Sequence, residues 1–231
     1  MNAIILCGGL STRLGEITKE APKILLEIGG KTILDWQLER LKSVGVPEVV
    51  LAAGHLAHVL YDTIGAERDS MKLIYAIEDK RLGTGGAIKH GMEYLTESDE
   101  PTWVLNGDIL YSIDFGSMAK ELKPDSDGII LAQRVEDAST YGVLEYGAER
   151  RLKKFKEKEG LVMPGYINGG LYLFNPGIKK YFPSADAFSV EYDVFPKMKD
   201  LHVYESDRPW VDVGVPDRLT WARENWRVFA S

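Results

Sequence analysis

The feature that most constrains this chain is the alternation, over its first half, of short apolar runs with longer amphipathic stretches. "NAIIL" ending at Leu6, "EVVLAA" from Glu48 to Ala53, "KLIYAI" from Lys72 to Ile77 and "TWVLN" ending at Asn106 each read as strands buried on both faces. Between the first two, "TILDWQLERLKSV" puts Ile33, Leu34, Leu38 and Leu41 on one helical face, with Gly45 and Pro47 as stop signals. Further helices are predicted from about His55 to Ile64 and, after a glycine-rich loop, over "GGAIKHGMEYL". Strands that alternate with helices pair in parallel, because each crossover returns the chain to the same end of the sheet. The expected fold is α/β, a Rossmann-like, doubly wound, mostly parallel sheet.

The texture changes near Asp127. "GIILAQRV", "YGVLEY", "RLKKFKE" and "GGLYLFN" are strand-like with little helix between them, which predicts a small antiparallel extension. The charged run "ERRLKKFKEKEG" reads as the solvated face of a strand or hairpin. "VEYDVFPKM" and "PDRLTWARENWRVF" read as amphipathic helices, the second offering Leu219, Trp221, Ala222 and Trp226 for packing; an aromatic left exposed there would suit a homodimer surface. With 231 residues and no repeat or linker, one domain is expected, its nucleotide-binding half at 1–125 and its second half at 126–231.

A net charge of -7 argues against nucleic acid or an anionic membrane as partner, so a polyanionic substrate would need local cations and metal. No stretch has the length of a signal or membrane segment, and the single cysteine, Cys7, excludes an internal disulfide, which together read as a cytoplasmic, reducing location. Cys7 itself reads as a small buried apolar residue rather than a nucleophile, since no orienting histidine stands near it in sequence.

Ligands of an open parallel sheet sit beyond the carboxyl ends of its strands. Three polar clusters fall there: "CGGLSTR", "EDKRLGTGGA" and "NGD". Gly8 and Gly9 leave main-chain N–H groups uncovered, so an anion or a purine can approach closely. The loop lacks both the Walker lysine and the G-x-G-x-x-G spacing. Arg13 and Lys23 follow on a long polar segment and are suited to clamping a triphosphate and neutralising a departing pyrophosphate. Asp108, at a strand's carboxyl end, and Asp212, which alternation turns away from Val211 and Val213, are carboxylates suited to Mg2+.

With these residues assembled, the chain resembles the sugar-1-phosphate nucleotidylyltransferases, or NDP-sugar pyrophosphorylases. "LCGGLSTRL", "PK", "LGTGGAI", "LNGD", "EK", "INGGLYLFN" and "VDVGVP" follow in that family's order across nearly the whole chain. "YAIEDKRLGTGGAI", "YGVLEY" and "FSVEYDVF" look most like the heptose 1-phosphate guanylyltransferases, with mannose 1-phosphate guanylyltransferases close behind.

The resemblance implies NTP and sugar 1-phosphate as substrates, Mg2+ as cofactor, and NDP-sugar and pyrophosphate as products. It implies that Leu6, Gly8, Gly9 and Thr12 cradle the nucleotide, that Arg13 and Lys23 hold phosphates, and that Glu78, Gly83, Thr84 and Gly85 border a base, guanine in the best match. It further implies Asp108 and Asp212 as metal ligands, and Asn106, Gly142, Glu157, Lys158 and Asn168 around the sugar phosphate. Ser11 stands where the family's loop commonly has glycine. At this length the chain is expected to lack the left-handed β-helix that many relatives append. Three competing readings are a cytidylyltransferase acting on an alcohol phosphate, a metal-dependent glycosyltransferase, for which "NGD" is not the expected D-x-D, and a nucleotide-sugar sensor, against which Arg13, Lys23 and both aspartates stand.

Overall fold

The computed structural model describes residues 1–9, 12–96, 99–156 and 162–230. The first half contains strands β1 (Asn2–Leu6), β2 (Glu27–Ile28), β3 (Lys31–Thr32), β4 (Glu48–Ala53), β5 (Glu67–Arg68), β6 (Met71–Ile77), β7 (Thr102–Asn106) and β8 (Ile109–Tyr111). Helices α1 (Ile33–Ser43), α2 (Ala57–Ile64), α3 (Gly83–Gly91) and α4 (Phe115–Lys120) lie among them. The second half adds β9 (Gly128–Val135), β10 (Val143–Tyr146), β11 (Leu152–Lys156), β12 (Gly165–Phe174), β13 (Leu201–Ser206), β14 (Trp210–Asp212) and helix α5 (Pro216–Asn225).

The expected parallel core is present. β1 lies between β7 and β4, both parallel to it, and β6 adds parallel to β4. Because successive side chains on a strand alternate faces, Ala3 and Ile5 join one buried layer and Ile4 the opposite one. The first layer packs under α1, α2, α4 and α5, and holds the fully buried Trp103 stacked on Phe115 at 4.9 Å. The second packs under α3 and the segment around 188–198. Helices on both faces are the reason these strands are continuously apolar rather than alternating.

α1 starts at Ile33 because Thr32 and Asp35 form a reciprocal capping box, and Arg68 Nε donates to Asp35 Oδ1 at 3.0 Å. The antiparallel extension also appears. β12 runs antiparallel to β7 through Leu171–Phe174, then pairs β10 at Ile167, while β9 follows its other side across a bulge between Asn168 and Tyr172. Gly170, at φ +65, supplies that bend, and the Asn106 side chain packs against its missing Cβ.

Several boundaries differ from the sequence reading. α2 begins at Ala57, since Leu56 is in the left-handed region at φ 63. α3 occupies Gly83–Gly91 rather than the window from Gly85 onward: the carbonyl of Phe188 accepts from the N–H groups of Gly85 and Gly86 and starts the helix inside the glycine-rich loop. "VEYDVFPKM" is not an amphipathic α-helix but a π-helical turn, Val190–Val194, followed by a 3-10 turn, Phe195–Lys197. α5 ends at Asn225 and a 3-10 turn, Trp226–Phe229, continues the chain. Leu219 and Ala222 are buried as expected, but Trp221 is 44% exposed. β8 and β14, absent from the sequence reading, pair antiparallel and bring Asp212 opposite Ile109. Among the described residues, no helix is long and apolar enough to cross a membrane.

Candidate active site

The carboxyl ends of β1, β6 and β7 open onto one cavity of about 280 Å³. Leu6, Gly8, Gly9, Lys23, Glu78, Gly83, Thr84, Asn106 and Asp108 line it, so the three polar clusters of the sequence converge there. Gly8 is closely approached: a Cβ there would lie 3.2 Å from the Gly54 nitrogen and 3.4 Å from Glu78 Oε1. The close approach lets the Glu78 carboxylate overhang the loop after β1. Burial pushes the Glu78 carboxyl above the usual carboxylate range, against the N–H of Leu82 and the charge of His90, which pull it down.

At the opposite rim, Lys23 Nζ donates to Asp108 Oδ2 at 2.7 Å, in a largely buried pair. The N–H of Val213 donates to the Asp108 carbonyl, which draws the turn after β14 alongside. Asp212 Oδ1 accepts from the Gly214 N–H at 2.6 Å, and its Oδ2 from Arg218 Nη1 at 3.1 Å. Arg218 also donates to the Tyr141 hydroxyl and lies over that ring at 5.3 Å. Burial first, and then the charge of Asp108, raise the Asp212 carboxyl above its ordinary range; Arg218, the Gly214 N–H and Lys23 pull the other way. Arg13 is exposed, with Nη2 at 3.4 Å from where a Cβ on Gly214 would stand, so its guanidinium borders the Asp212 turn. Alternation does turn Asp212 away from Val211 and Val213, both of which are buried.

Among the described residues, no group of three His, Cys, Asp or Glu side chains stands ready to hold a metal. Two neighbouring carboxylates fit Mg2+ nonetheless, because this ion keeps waters and substrate oxygens in most of its octahedral positions and takes only one or two protein carboxylates.

Other residues singled out by sequence stand elsewhere. Thr12 opens the 3-10 turn Thr12–Thr18 and lies outside the cavity lining. Gly85 is buried beneath Phe188, where a Cβ would approach Cδ2 and Cε2 of the ring to 2.4 Å, so its smallness serves packing. Gly142 lies against the Phe155 ring. Asn168 donates through Nδ2 to the Tyr172 hydroxyl at 2.8 Å and accepts from the Gly170 N–H at 3.0 Å. Ser11, Glu157 and Lys158 lie outside the described residues.

Cys7, expected to be buried, is only half-buried: it packs against the core but also lines the cavity, and its Sγ donates to the Ala52 carbonyl at 3.3 Å; burial, followed by the charge of Glu78, pushes its thiol up to about 12. Arg81 and Gly107, from the clusters "EDKRLGTGGA" and "NGD", also stand in the cavity wall, whereas sequence reasoning missed Arg218 and Tyr141 beside Asp212. Arg218 lies two residues beyond "VDVGVP", inside "PDRLTWARENWRVF", and its distance of six residues from Asp212 was the available signal. Gln37 was less legible. From within α1 its amide donates to the carbonyls of Asn106 and Ile109 at 2.8 and 2.9 Å, fixing the turn that carries Asp108.

A doubly wound sheet whose strand ends present a glycine-lined cavity, rimmed by a lysine–aspartate pair and a second buried aspartate, defines an α/β nucleotide-binding protein equipped for phosphate chemistry. The comparison with known families narrows the class. Residues 2–227 match the family described as Nucleotidyl transferase, and the chain belongs to that family.

It is 35% identical over 228 residues to the mannose-1-phosphate guanylyltransferase catalytic subunit beta of Danio rerio, covering 95% of this chain and 63% of that protein. The mannose-1-phosphate guanyltransferase of Schizosaccharomyces pombe is 33% identical over 229 residues, with the same coverage of 95% and 63%. The chain thus spans less than two thirds of the length of these relatives. Among solved structures, HddC from Yersinia pseudotuberculosis complexed with GMP-PN superposes with a TM-score of 0.84 at 31% identity, covering 97% of this chain and 99% of that one. A putative glucose-1-phosphate thymidylyltransferase from Bacillus anthracis, at 24% identity and a TM-score of 0.85, shares the fold, covering 97% of this chain and 94% of its own.

Proposed function

We propose that this chain is a sugar-1-phosphate guanylyltransferase that converts GTP and a sugar 1-phosphate, of the heptose or mannose type, into GDP-sugar and pyrophosphate. The observation that carries the reading is the cavity at the strand ends, whose wall holds both the Glu78 carboxylate and the Lys23–Asp108 pair. A guanine placed over Gly8 would offer its N–H groups to Glu78, the arrangement a carboxylate acceptor favours. The guanylyltransferase names of the relatives and the GMP-PN bound by HddC support the same base.

A sugar phosphate is already an anionic nucleophile. One of its oxygens attacks the α-phosphorus in line, the bond to the β-phosphate oxygen breaks, and pyrophosphate leaves with that electron pair. No general base is required, so the protein's work is positioning and charge neutralisation. Lys23 and Arg13 would hold the phosphates, with Lys23 exchanging Asp108 for phosphate oxygen as substrate arrives. Asp108 and Asp212 would hold Mg2+, which supplies neutralisation of the transferring and departing phosphates. Arg218 and the Gly214 N–H occupy Asp212 from behind and fix its orientation. Asn168, Asn106 and Gly142 would border the acceptor sugar.

The test is a matrix of GTP, UTP, CTP, dTTP and ATP against several sugar 1-phosphates, scored by pyrophosphate release. GTP with a heptose or mannose 1-phosphate is expected to give the highest kcat/KM. A clear winner with another base would overturn the guanylyl assignment, and no release with any pair would overturn the reaction.

A further inference from the structure

The stretch "FSVEYDVF" folds against the turn that borders the nucleotide cavity. Phe188 donates its N–H to the Leu82 carbonyl at 2.9 Å and accepts from the N–H groups of Gly85 and Gly86 at 3.0 and 3.3 Å. Thr84, which lines the cavity, accepts through Oγ1 from the Val190 N–H at 3.0 Å and donates to Glu191 Oε2 at 2.6 Å. The same Glu191 oxygen accepts from Ser189 Oγ at 2.7 Å. The one hydroxyl proton of Thr84 is thereby committed, so its side chain serves this contact rather than a ligand.

Glu191 sits in a five-residue π-helical turn, a geometry that is rare and concentrated at functional sites. Ser189 fixes that turn, accepting from the Tyr192 N–H at 3.3 Å and donating its own N–H to Asp193 Oδ2 at 2.8 Å.

We propose that Glu191 is a positioning residue that, through Thr84, sets the turn receiving the nucleotide. The proposal rests on the reading that this cavity takes the nucleotide. If Glu191 acts through Thr84, the two residues form one device, and removing both does no more than removing either.

The test compares wild type, Glu191→Met, Thr84→Val and the double variant by calorimetric GTP titration and by steady-state kinetics with the preferred sugar phosphate. Each single variant is expected to raise both Kd and KM for GTP about tenfold, and the double variant also only about tenfold. kcat of Glu191→Met should stay within about threefold of wild type, because Glu191 lies outside the reacting groups. Single variants within about twofold of wild type, a double variant near a hundredfold, or a collapse of kcat at unchanged KM would each overturn the proposal. Thermal melts establish that the variants are folded, and Thr84→Val, which keeps the threonine shape, carries the comparison should Glu191→Met not fold. If wild type binds a nucleotide other than GTP, the guanylyl reading falls and the same comparison is made with that nucleotide. If it binds none, both fall.

Discussion

Replacing Asp108 by asparagine separates chemistry from stability at this site. The substitution removes the ion pair with Lys23, 2.7 Å long between side chains 15% and 27% exposed, which after solvent screening contributes about 1 kcal/mol. It also removes the neighbouring charge that, after burial, raises Asp212, a relief in the opposite direction, and leaves Lys23 to compensate Asp212 instead. The two effects offset, so the net change in stability should stay within about 1 kcal/mol, a melting shift of less than about 4 °C for a chain of this size. Turnover behaves differently, because the proposed Mg2+ site loses one of its two carboxylates and with it the neutralisation of the phosphates, and loss of one such electrostatic element typically lowers kcat by about 10²–10³. Pyrophosphate release at saturating GTP and sugar phosphate, measured beside a thermal melt, reads both quantities. Retention of more than about a tenth of wild-type turnover would refute the assignment of Asp108 to the reacting centre. A melting point lowered by more than about 10 °C would show instead that Asp108 is a structural anchor.

Three further outcomes follow from the same contacts. Gly85→Ala forces a Cβ to within 2.4 Å of the buried Phe188 ring. It should cost about 1–3 kcal/mol, lower the melting point by roughly 3–10 °C and raise KM for GTP; an unchanged melt would contradict the close packing. Thr32→Ala removes the cap of α1 and should cost about 1 kcal/mol at neutral pH in denaturant titrations. Although burial opposes it, Thr32 and Arg68 hold the Asp35 carboxyl below its ordinary value of 3.8. A depressed carboxylate stabilises the fold above its unfolded value and loses that contribution as pH falls through the folded one. The gap between wild type and Thr32→Ala should therefore shrink below about pH 3.8, and a gap that persists there would exclude the carboxylate's part in the cap. Cys7, with its thiol pushed up to about 12, should react with a disulfide reagent at pH 8 about 10³-fold more slowly in the native protein than in denaturant. Rapid native labelling would show the thiol to be exposed.

The parallel core was legible in the sequence because strands buried on both faces leave an apolar signature that needs no partner to be read. Glu48–Ala53 and Thr102–Asn106 have the predicted boundaries. α1 was equally legible, since its periodicity, cap and glycine stop are all local. The positions of Gly8, Glu78 and Asp108 at strand ends also followed from local pattern, because parallel strands deliver their carboxyl ends to one edge.

The misreadings share a physical cause. α3 begins at Gly83 because a carbonyl some hundred residues away, on Phe188, supplies its cap, and Val190–Val194 winds as a π-turn around contacts with Ser189 and Thr84. Asp212 reaches the site through the β8–β14 pair, and each of those strands has only three residues, too few for a periodic signal. Arg218, Tyr141 and Gln37 act through distances set by packing, which spacing along the chain does not encode. The sequence by itself therefore determined the sheet, its two apolar faces and the edge where chemistry collects. Only the tertiary structure decided which side chains meet there, because hydrogen bonds and ion pairs between distant segments depend on how the layers pack and not on the pattern within any one of them.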